Sequence, residues 1–152
     1  MFIWYHDFPI GEIGIIEENG FIVRLVFGSK RSDIIERKTP VISRTINELN
    51  EYFLGKRKKF DIPLCPKGTE FQQKVWKQLK EINYGETASY KEIAAKVENA
   101  KAYRAVGGAN NKNPIPIIVP CHRVIGTNNK LVGFALGLDV KQTLLDLEKR
   151  FK

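Results

Sequence analysis

Short apolar runs that alternate with turn residues fill the first part of the chain. Residues 2–5, 14–17 and 21–27 are rich in β-branched and aromatic side chains. Gly11, the run Glu18-Asn19-Gly20, and Gly28 separate or close these runs, and such residues favour turns between strands. The pattern therefore predicts a small antiparallel sheet at the start of the chain.

One helix is predicted after this sheet. Thr39 is a suitable N-cap residue, and Pro40 follows it at the first helical position. Gly55 offers a C-terminal stop. Between these signals, apolar residues recur with the spacing of one helix face, at Val41, Ile42, Leu49, Tyr52 and Phe53.

The segment from residue 62 to residue 68 breaks this regular patterning. It reads Ile-Pro-Leu-Cys-Pro-Lys-Gly, and two prolines with a glycine disfavour both helix and strand. A chain of 152 residues is long enough for one ordinary domain or for two small ones. We therefore expect an N-terminal α/β domain over residues 1–65 and a second domain over residues 66–152.

Helical signals replace strand signals beyond this boundary. Thr69 and Gln72 have capping-box spacing, and an apolar face follows them. Ser89 and Glu92 repeat that spacing and open a shorter predicted helix that runs to about Val97. The second domain is therefore predicted to be mostly helical.

A third helix is predicted over residues 100–111, with Asn99 as its N-cap and Asn113-Pro114 beyond its end. Two short helices joined by a tight turn have helix-turn-helix proportions, although many small helical domains contain such pairs. Gly107 and Gly108 lie inside the third helix, where two glycines cost about 2 kcal/mol relative to alanines. Close helix packing, or the close approach of a ligand, could offset that cost.

The composition narrows the classes of protein to consider. A formal net charge of +8 favours a polyanionic partner, although a basic protein without one has the same charge. Residues 1–60 hold ten Lys and Arg against eight Asp and Glu, whereas residues 61–152 hold fifteen against nine. No apolar run approaches the roughly 20 residues of a membrane span, and the N-terminus lacks signal-peptide features. We expect a cytoplasmic protein without membrane association.

Two cysteines, Cys65 and Cys121, do not make a disulfide framework in a chain without a secretory signal. With only His6 and His122 as possible imidazole ligands, no paired Cys/His spacing of a structural zinc site is present. We therefore predict that the protein binds no metal and needs no cofactor.

The most informative stretch is residues 115–126, where an apolar extended segment leads through Pro120 to Cys121, His122 and Arg123. A thiolate is a strong nucleophile, and a neighbouring cation or base is expected to lower the pKa of its thiol towards neutrality. The residues alone leave two interpretations open. Cys121 is either a reactive thiol or a small buried hydrophobe, because neighbouring side chains in an extended chain point apart.

Four sequence blocks resemble the O6-alkylguanine-DNA alkyltransferase family. The run Pro120-Cys121-His122-Arg123-Val124, preceded by Asn113-Pro114-Ile115-Pro116, is similar to the family's active-site signature. Further similarity lies in residues 84–90 (Tyr-Gly-Glu-Thr-Ala-Ser-Tyr), 104–109 (Arg-Ala-Val-Gly-Gly-Ala) and 144–148 (Leu-Leu-Asp-Leu-Glu). These blocks cover nearly all of residues 69–150, whereas the first sixty residues match only in their strand-then-helix layout.

The resemblance implies an α+β fold with two parts. The N-terminal part would be RNase H-like, with a small antiparallel sheet and a helix. The C-terminal part would be mostly helical and winged-helix-like, with a helix-turn-helix that binds DNA and a cysteine that accepts an alkyl group. The zinc ligands known from some relatives have no counterpart here, so the resemblance also implies a metal-free protein.

The implied reaction is a direct repair of duplex DNA by a monomer. Cys121 would displace the alkyl group, such as methyl, from O6 of a flipped-out guanine, with O4 of thymine as a further candidate substrate. A stable thioether would form, so each molecule would act once. His122 would draw the thiol proton through a water, and Glu148 would orient His122. Tyr90 would donate to N3 of the guanine, and Asn113 would bridge the active-site turn to the recognition helix.

The resemblance also implies the DNA contacts and the substrate pocket. Arg104 would fill the gap left by the flipped base in the minor groove, beside the small residue Ala102. Lys91, Asn99 and Lys101 would contact phosphates. The carbonyls of Cys121 and Val124 would hold the exocyclic amine, and the backbone near Ala135 would meet O6.

The sequence departs from the family's usual pattern at two pocket positions. Phe134 stands where tyrosine is usual, and Leu136 stands where a small residue is common. These changes bear on which alkyl groups fit the pocket. Two other classes of DNA-binding protein remain as alternatives, a non-catalytic alkyl-lesion binder and a helix-turn-helix regulator. A Cys-His hydrolase is a third alternative, but no oxyanion hole is indicated.

Overall fold

The computed structural model describes residues 1–28, 31–97, 102–126, 134 and 136–152. The chain divides into two compact units, Met1–Lys67 and Gly68–Lys152. The first unit contains a sheet and a helix, and the second is mainly helical. The secondary structure is thus of the α+β class, as the residue patterns predict.

The sheet of the first unit is built on three consecutive strands, β1 (Phe2–Phe8), β2 (Gly11–Glu18) and β3 (Phe21–Phe27). Neighbouring strands are antiparallel, with Ile3 opposite Ile16 and Ile15 opposite Leu25. Asn19 and Gly20 have φ values of 53° and 84°, which fits the tight turn predicted between β2 and β3. The three predicted strands are confirmed, and β1 and β2 are longer than their apolar runs.

A fourth strand makes the sheet mixed rather than purely antiparallel. Strand β4 (Ile35–Glu36) pairs in parallel with β1, so that the strand order is β3-β2-β1-β4. Strand β4 was not predicted, because a pair of residues followed by charged ones carries no alternating pattern. The prediction of an antiparallel sheet was therefore wrong at this edge.

Helix α1 (Pro40–Phe53) begins as predicted, since the Thr39 side chain accepts a hydrogen bond from the amide of Ile42. It ends at the predicted stop, where Gly55 has a φ of 74°. One face of the helix is fully buried and forms part of the core of this unit, through Ile42, Leu49 and Tyr52.

The second unit begins with two capped helices. In α2 (Glu70–Leu79) and α3 (Tyr90–Lys96), both halves of each predicted capping box are formed. Trp76 is buried, and its indole N–H donates to the Ala109 carbonyl at 2.9 Å, which fixes α2 against the fourth helix.

That fourth helix, α4 (Tyr103–Asn111), starts later than predicted. Ala102 is its N-cap, and no side chain caps it. The predicted start at residue 100 was therefore wrong, because the structure uses no polar cap of the kind the prediction relied on. The predicted cap residue, Asn99, lies outside the described residues.

A short parallel ladder joins the start of α3 to the segment that follows Cys121. Strand β5 (Ala88–Ser89) pairs with β6 (Val124–Ile125), so that Ala88 lies opposite Val124. A 3-10 helix, Cys121–Arg123, precedes β6, and helix α5 (Leu138–Arg150) ends the unit. The ladder brings Tyr90, the first residue of α3, towards the chemistry-bearing segment. Within the described parts of the chain, no helix has the length and apolar character needed to cross a membrane.

Candidate active site

The segment before Cys121 is folded into a turn rather than extended. The Val119 amide donates to the Ile115 carbonyl at 2.9 Å, and Asn113 holds both ends of the turn. Its Oδ1 accepts from the Ile115 amide at 3.0 Å, and its Nδ2 donates to the Val119 carbonyl at 2.8 Å. The expectation of an extended segment was wrong, because Asn113 supplies local hydrogen bonds that a strand would take from a neighbour.

Ile117 lies at the tip of this turn with a φ of 75°. A β-branched residue rarely adopts this left-handed conformation, which costs about 1–3 kcal/mol. The side chain is nevertheless 1% exposed. Burial of the Ile117 side chain therefore holds this strained backbone in place in the turn that leads to Cys121.

Cys121 is 4% exposed and is the first residue of the 3-10 helix. Its amide donates to the Val119 carbonyl at 2.8 Å, and its carbonyl accepts from the Asn110 side chain at 3.3 Å. Burial raises the pKa of the thiol to about 11, and the opposing effects of Asn113 and Lys141 are weaker. The expectation of a lowered pKa was therefore wrong, and the resting thiol keeps its proton at neutral pH.

His122 and Glu148 form a buried pair behind this thiol. Nε2 of His122 lies 2.6 Å from Oε2 of Glu148, and both side chains are almost fully buried. Nδ1 of His122 is also buried and has no hydrogen-bond partner among the described residues. Burial lowers the pKa of His122, and the opposing effect of the Glu148 carboxylate is smaller.

Arg123 completes this group by binding the same carboxylate. Its Nε and one Nη donate to the two oxygens of Glu148 at 2.8 and 3.1 Å, and its other Nη donates to the Ile82 carbonyl at 2.7 Å. Burial alone would raise the pKa of Glu148, but His122 and Arg123 together lower it to about 2. From the sequence, Arg123 was expected only as a cation beside the thiol, although its place in the signature was the available signal.

Lys141 is a second buried cation that the sequence analysis did not select. The residue is completely buried on α5, and its Nζ donates to the Val124 carbonyl at 2.6 Å. The same Nζ lies 5.8 Å from the centre of the Phe134 ring. A lysine on a charged C-terminal helix gives no sequence signal for burial, so only the structure identifies it.

Tyr90 is half-buried at the start of α3. Burial raises the pKa of its phenol, the charge of Cys121 once it is ionised acts in the same direction, and a hydrogen bond with Asn110 opposes both. The phenol therefore keeps its proton at neutral pH. The β5–β6 ladder and these interactions bring Tyr90, Asn110 and Cys121 into one region of the second unit.

Two of the predicted DNA-contacting residues are exposed on this unit. Lys91 and Arg104 are exposed, and each has its charged end 6.0 Å from the ring centre of Tyr103. Tyr103 is 41% exposed and was not selected from the sequence. The predicted contact Ala102 is half-buried, whereas Asn99 and Lys101 lie outside the described residues.

Gly107 and Gly108 present a bare surface on α4. A Cβ added to Gly108 would meet nothing within 4 Å, and one added to Gly107 would only touch the Tyr90 ring at 3.8 Å. Close packing within the described residues therefore does not explain the two glycines. Of the two explanations considered for these glycines, the close approach of a ligand is the one that remains.

The predicted substrate pocket is described in part. Val124 is completely buried, and Phe134 and Leu136 are half-buried. The predicted O6 contact, Ala135, lies outside the described residues. Within the described parts of the chain, no cluster of three or more His, Cys, Asp or Glu side chains could hold a metal ion.

Both units match known family models. The model described as "6-O-methylguanine DNA methyltransferase, ribonuclease-like domain" matches residues 1–66. The model described as "6-O-methylguanine DNA methyltransferase, DNA binding domain" matches residues 70–150.

Individual relatives agree with these matches. A methylated-DNA–protein-cysteine methyltransferase of Methanosarcina mazei is 64% identical over 103 residues, which are 68% of this chain and 65% of that protein. One from Methanosarcina acetivorans is 48% identical over 153 aligned residues, covering 97% of this chain and 98% of the relative. The crystal structure of Mycobacterium tuberculosis OGT in complex with DNA aligns with a TM-score of 0.92 at 42% identity, covering 99% of this chain and 94% of that chain.

Proposed function

Because the chain belongs to the 6-O-methylguanine DNA methyltransferase family, we propose that its Cys121 accepts the alkyl group in the repair of O6-alkylguanine in DNA. The protein is a methylated-DNA–protein-cysteine methyltransferase that repairs DNA by direct reversal of the damage. The assignment of Cys121 as the acceptor rests on one observation. Its thiol is buried, and the next residue in the chain, His122, is hydrogen-bonded to Glu148.

The transfer is a displacement at the alkyl carbon. Sulfur of Cys121 forms a bond to that carbon while the bond from the carbon to O6 breaks, and the electron pair of the broken bond stays with the guanine. With a thiol pKa of about 11, the proton must leave sulfur for the attack to be fast at neutral pH. His122 takes that proton on Nδ1 through a water molecule, and Glu148 holds the ring from the Nε2 side.

Tyr90 makes the dealkylated base a better leaving group. Its phenol remains protonated at neutral pH and donates to N3 of the guanine as negative charge develops there. The carbonyls of Cys121 and Val124 accept from the exocyclic amine, and the backbone near Ala135 meets O6. The carbonyls already accept from Asn110 and Lys141, and a carbonyl oxygen can accept a second hydrogen bond.

The damaged guanine leaves the base stack before it reacts. A base inside a duplex cannot reach a thiol that is 4% exposed, so the nucleotide must rotate out of the helix. Arg104, on the first turn of α4, fills the gap from the minor groove. Lys91, Asn99 and Lys101 bind phosphates, while Ala102 and the bare surface of Gly107 and Gly108 allow the duplex to approach α4 closely.

The protein acts as a monomer in the cytoplasm, on double-stranded DNA, without a cofactor. The thioether carbon–sulfur bond is not reversed by cellular thiols, so each molecule transfers one alkyl group. O4-alkylthymine is a second candidate lesion, because the same displacement applies to an alkyl group on its oxygen.

Reaction stoichiometry tests this proposal. We expect a molar excess of duplex containing one O6-methylguanine to be repaired only until the number of restored guanines equals the number of protein molecules. Cys121→Ser should restore none, and Cys65→Ser should match the unmodified protein. Continued turnover beyond that plateau would favour a hydrolytic mechanism. Tight lesion binding without any repair would identify a lesion-recognition protein instead.

A further inference from the structure

We propose that Arg123 is a positioning residue of the transfer reaction, which keeps His122 neutral by binding both carboxylate oxygens of Glu148. This inference rests on the proposed function, because it assigns His122 the task of accepting the thiol proton. It concerns a residue that does not touch the thiol through any described hydrogen bond and acts on His122 by neutralising Glu148 and by its own positive charge.

The geometry leaves the Glu148 carboxylate fully occupied. Oε1 accepts from Nε of Arg123 at 2.8 Å and from the Gly85 amide at 3.1 Å. Oε2 accepts from an Nη of Arg123 at 3.1 Å and lies 2.6 Å from Nε2 of His122. The remaining Nη of Arg123 is fixed by the Ile82 carbonyl, so the guanidinium cannot turn away from the carboxylate without losing this bond as well.

Because this group is buried, its net charge determines whether His122 can hold a second proton. Arg123 is 6% exposed, Glu148 1% and His122 0%. With Arg123 present, the negative charge of Glu148 is already neutralised, so a proton on His122 would create a net positive charge away from water. Without Arg123, the negative charge of Glu148 would be left unbalanced beside His122 and would favour an imidazolium.

The other charged and titratable groups near His122 either disfavour the imidazolium or are neutral. From α5, Lys141 adds a second positive charge that disfavours the imidazolium, and burial and Arg123 act in the same direction on the His122 pKa. Tyr84, from the loop after α2, has its ring 5.7 Å from the Arg123 guanidinium, and burial raises the pKa of its phenol, so it stays neutral. Cys121 is also neutral at rest because burial raises its pKa. Glu148 is the one group on these elements that favours protonation of His122.

The same contacts select one tautomer of His122. Because Oε2 of the ionised Glu148 lies against Nε2, the ring proton resides on Nε2. Nδ1 then carries a lone pair and has no hydrogen-bond partner among the described residues. A neutral ring in this tautomer can accept the thiol proton, whereas an imidazolium cannot.

The resting state can be read by ¹⁵N NMR of histidine-labelled protein without DNA. The chain has only two histidines, His6 and His122, so His6→Gln assigns both resonances. We expect His122 of the unmodified protein to show a protonated Nε2 and a bare Nδ1 at pH 7. A doubly protonated His122 in the unmodified protein at pH 7 would overturn the proposal. This test requires no substitution at Arg123.

Two substitutions separate charge from structure. In Arg123→Gln, His122 should become protonated at pH 7, and the rise of the alkyl-transfer rate with pH should move about one pH unit or more to higher pH. Arg123→Lys keeps the charge and should keep His122 neutral, rescuing the pH profile. Arg150→Gln, an exposed charge on the helix that carries Glu148, is the matched control and should change neither readout.

The outcomes distinguish this inference from the proposed function. A neutral His122 and an unshifted pH profile in folded Arg123→Gln would overturn the role of Arg123, even if the unmodified protein transfers alkyl groups normally. If Arg123→Gln does not fold, protonation of His122 in folded Arg123→Lys at pH 7 would also overturn it. Absence of transfer by the unmodified protein, with the predicted tautomer present, would count against the proposed function and against a catalytic use of the neutral histidine.

Discussion

At the scale of single residues, the two cysteines differ in accessibility and should differ in reactivity. Cys65 is exposed, whereas Cys121 is buried with a pKa raised to about 11. We expect iodoacetamide at neutral pH to modify one cysteine in the folded protein and both after denaturation. Peptide mass mapping should place the first modification at Cys65. Rapid modification of Cys121 in folded Cys65→Ser would contradict the burial and the raised pKa.

The candidate reacting residues could be proposed from the sequence, whereas their protonation states depend on the fold. The signature around Cys121 and the position of Glu148 single out the thiol and the carboxylate. The raised pKa of Cys121 depends on how deeply the fold buries it. Arg123 and Lys141 also donate to the backbone carbonyls of Ile82 and Val124, which lie 41 and 17 positions away along the chain. No local pattern encodes such contacts.

At the scale of elements, the turn before Cys121 contains a strained residue, Ile117, at which glycine should destabilise the protein less than alanine does. Ile117→Ala and Ile117→Gly both remove a buried side chain and should lower the free energy of unfolding by about 2–5 kcal/mol. Because φ is 75° at this position, the glycine variant should be the more stable of the two by about 1 kcal/mol. Urea unfolding of both variants measures this difference.

Ile118 supplies the matched control for this comparison. It is also buried, next to Ile117, and its φ is not positive. At Ile118 the alanine variant should be the more stable of the pair, because glycine adds backbone entropy to the unfolded chain without relieving strain. A more stable alanine variant at both positions would mean that Ile117 is not strained.

Elements that carry their own local signals were predictable. The two capping boxes begin helices α2 and α3, and the Asn19-Gly20 turn joins two strands, because these residues satisfy or shape the backbone around them. Strands β4, β5 and β6 are two residues long and exist through pairing with distant partners. Their sequences hold no periodicity to detect, and for the same reason the start of α4, which lacks a side-chain cap, was misplaced.

At the scale of the whole molecule, the buried pair of His122 and Glu148 should make folding sensitive to acid. The pKa of Glu148 is lowered from 4.5 to about 2, so its stabilising effect is complete above 4.5 and is lost as pH falls towards 2. The pKa of His122 is lowered from 6.5, so below that pH the unfolded chain binds a proton that the folded one does not. Both effects reduce the free energy of unfolding as pH falls.

Urea unfolding at pH 7.5, 5.5 and 4 measures this dependence. The free energy of unfolding should decrease at each step, and the decrease from pH 7.5 to 5.5 should be smaller in His122→Gln. Equal stability of the unmodified protein at all three values would show that the buried pair does not influence folding.

Alkylation itself should destabilise the protein. Cys121 is only 4% exposed, so an added methyl group must displace the atoms around the thiol at a cost of about 1–3 kcal/mol. We expect calorimetry to give a lower Tm for the methylated protein than for the unreacted one. An unchanged Tm would indicate a pocket with spare volume beside the thiol.

Cys121 should become the permanent carrier of the alkyl group. Intact mass spectrometry after mixing the protein with duplex DNA that contains one O6-methylguanine tests it most directly. We expect a gain of one methyl group per molecule, mapped to Cys121 and absent in Cys121→Ser. No gain in mass, or a methyl group on any other residue, would contradict it.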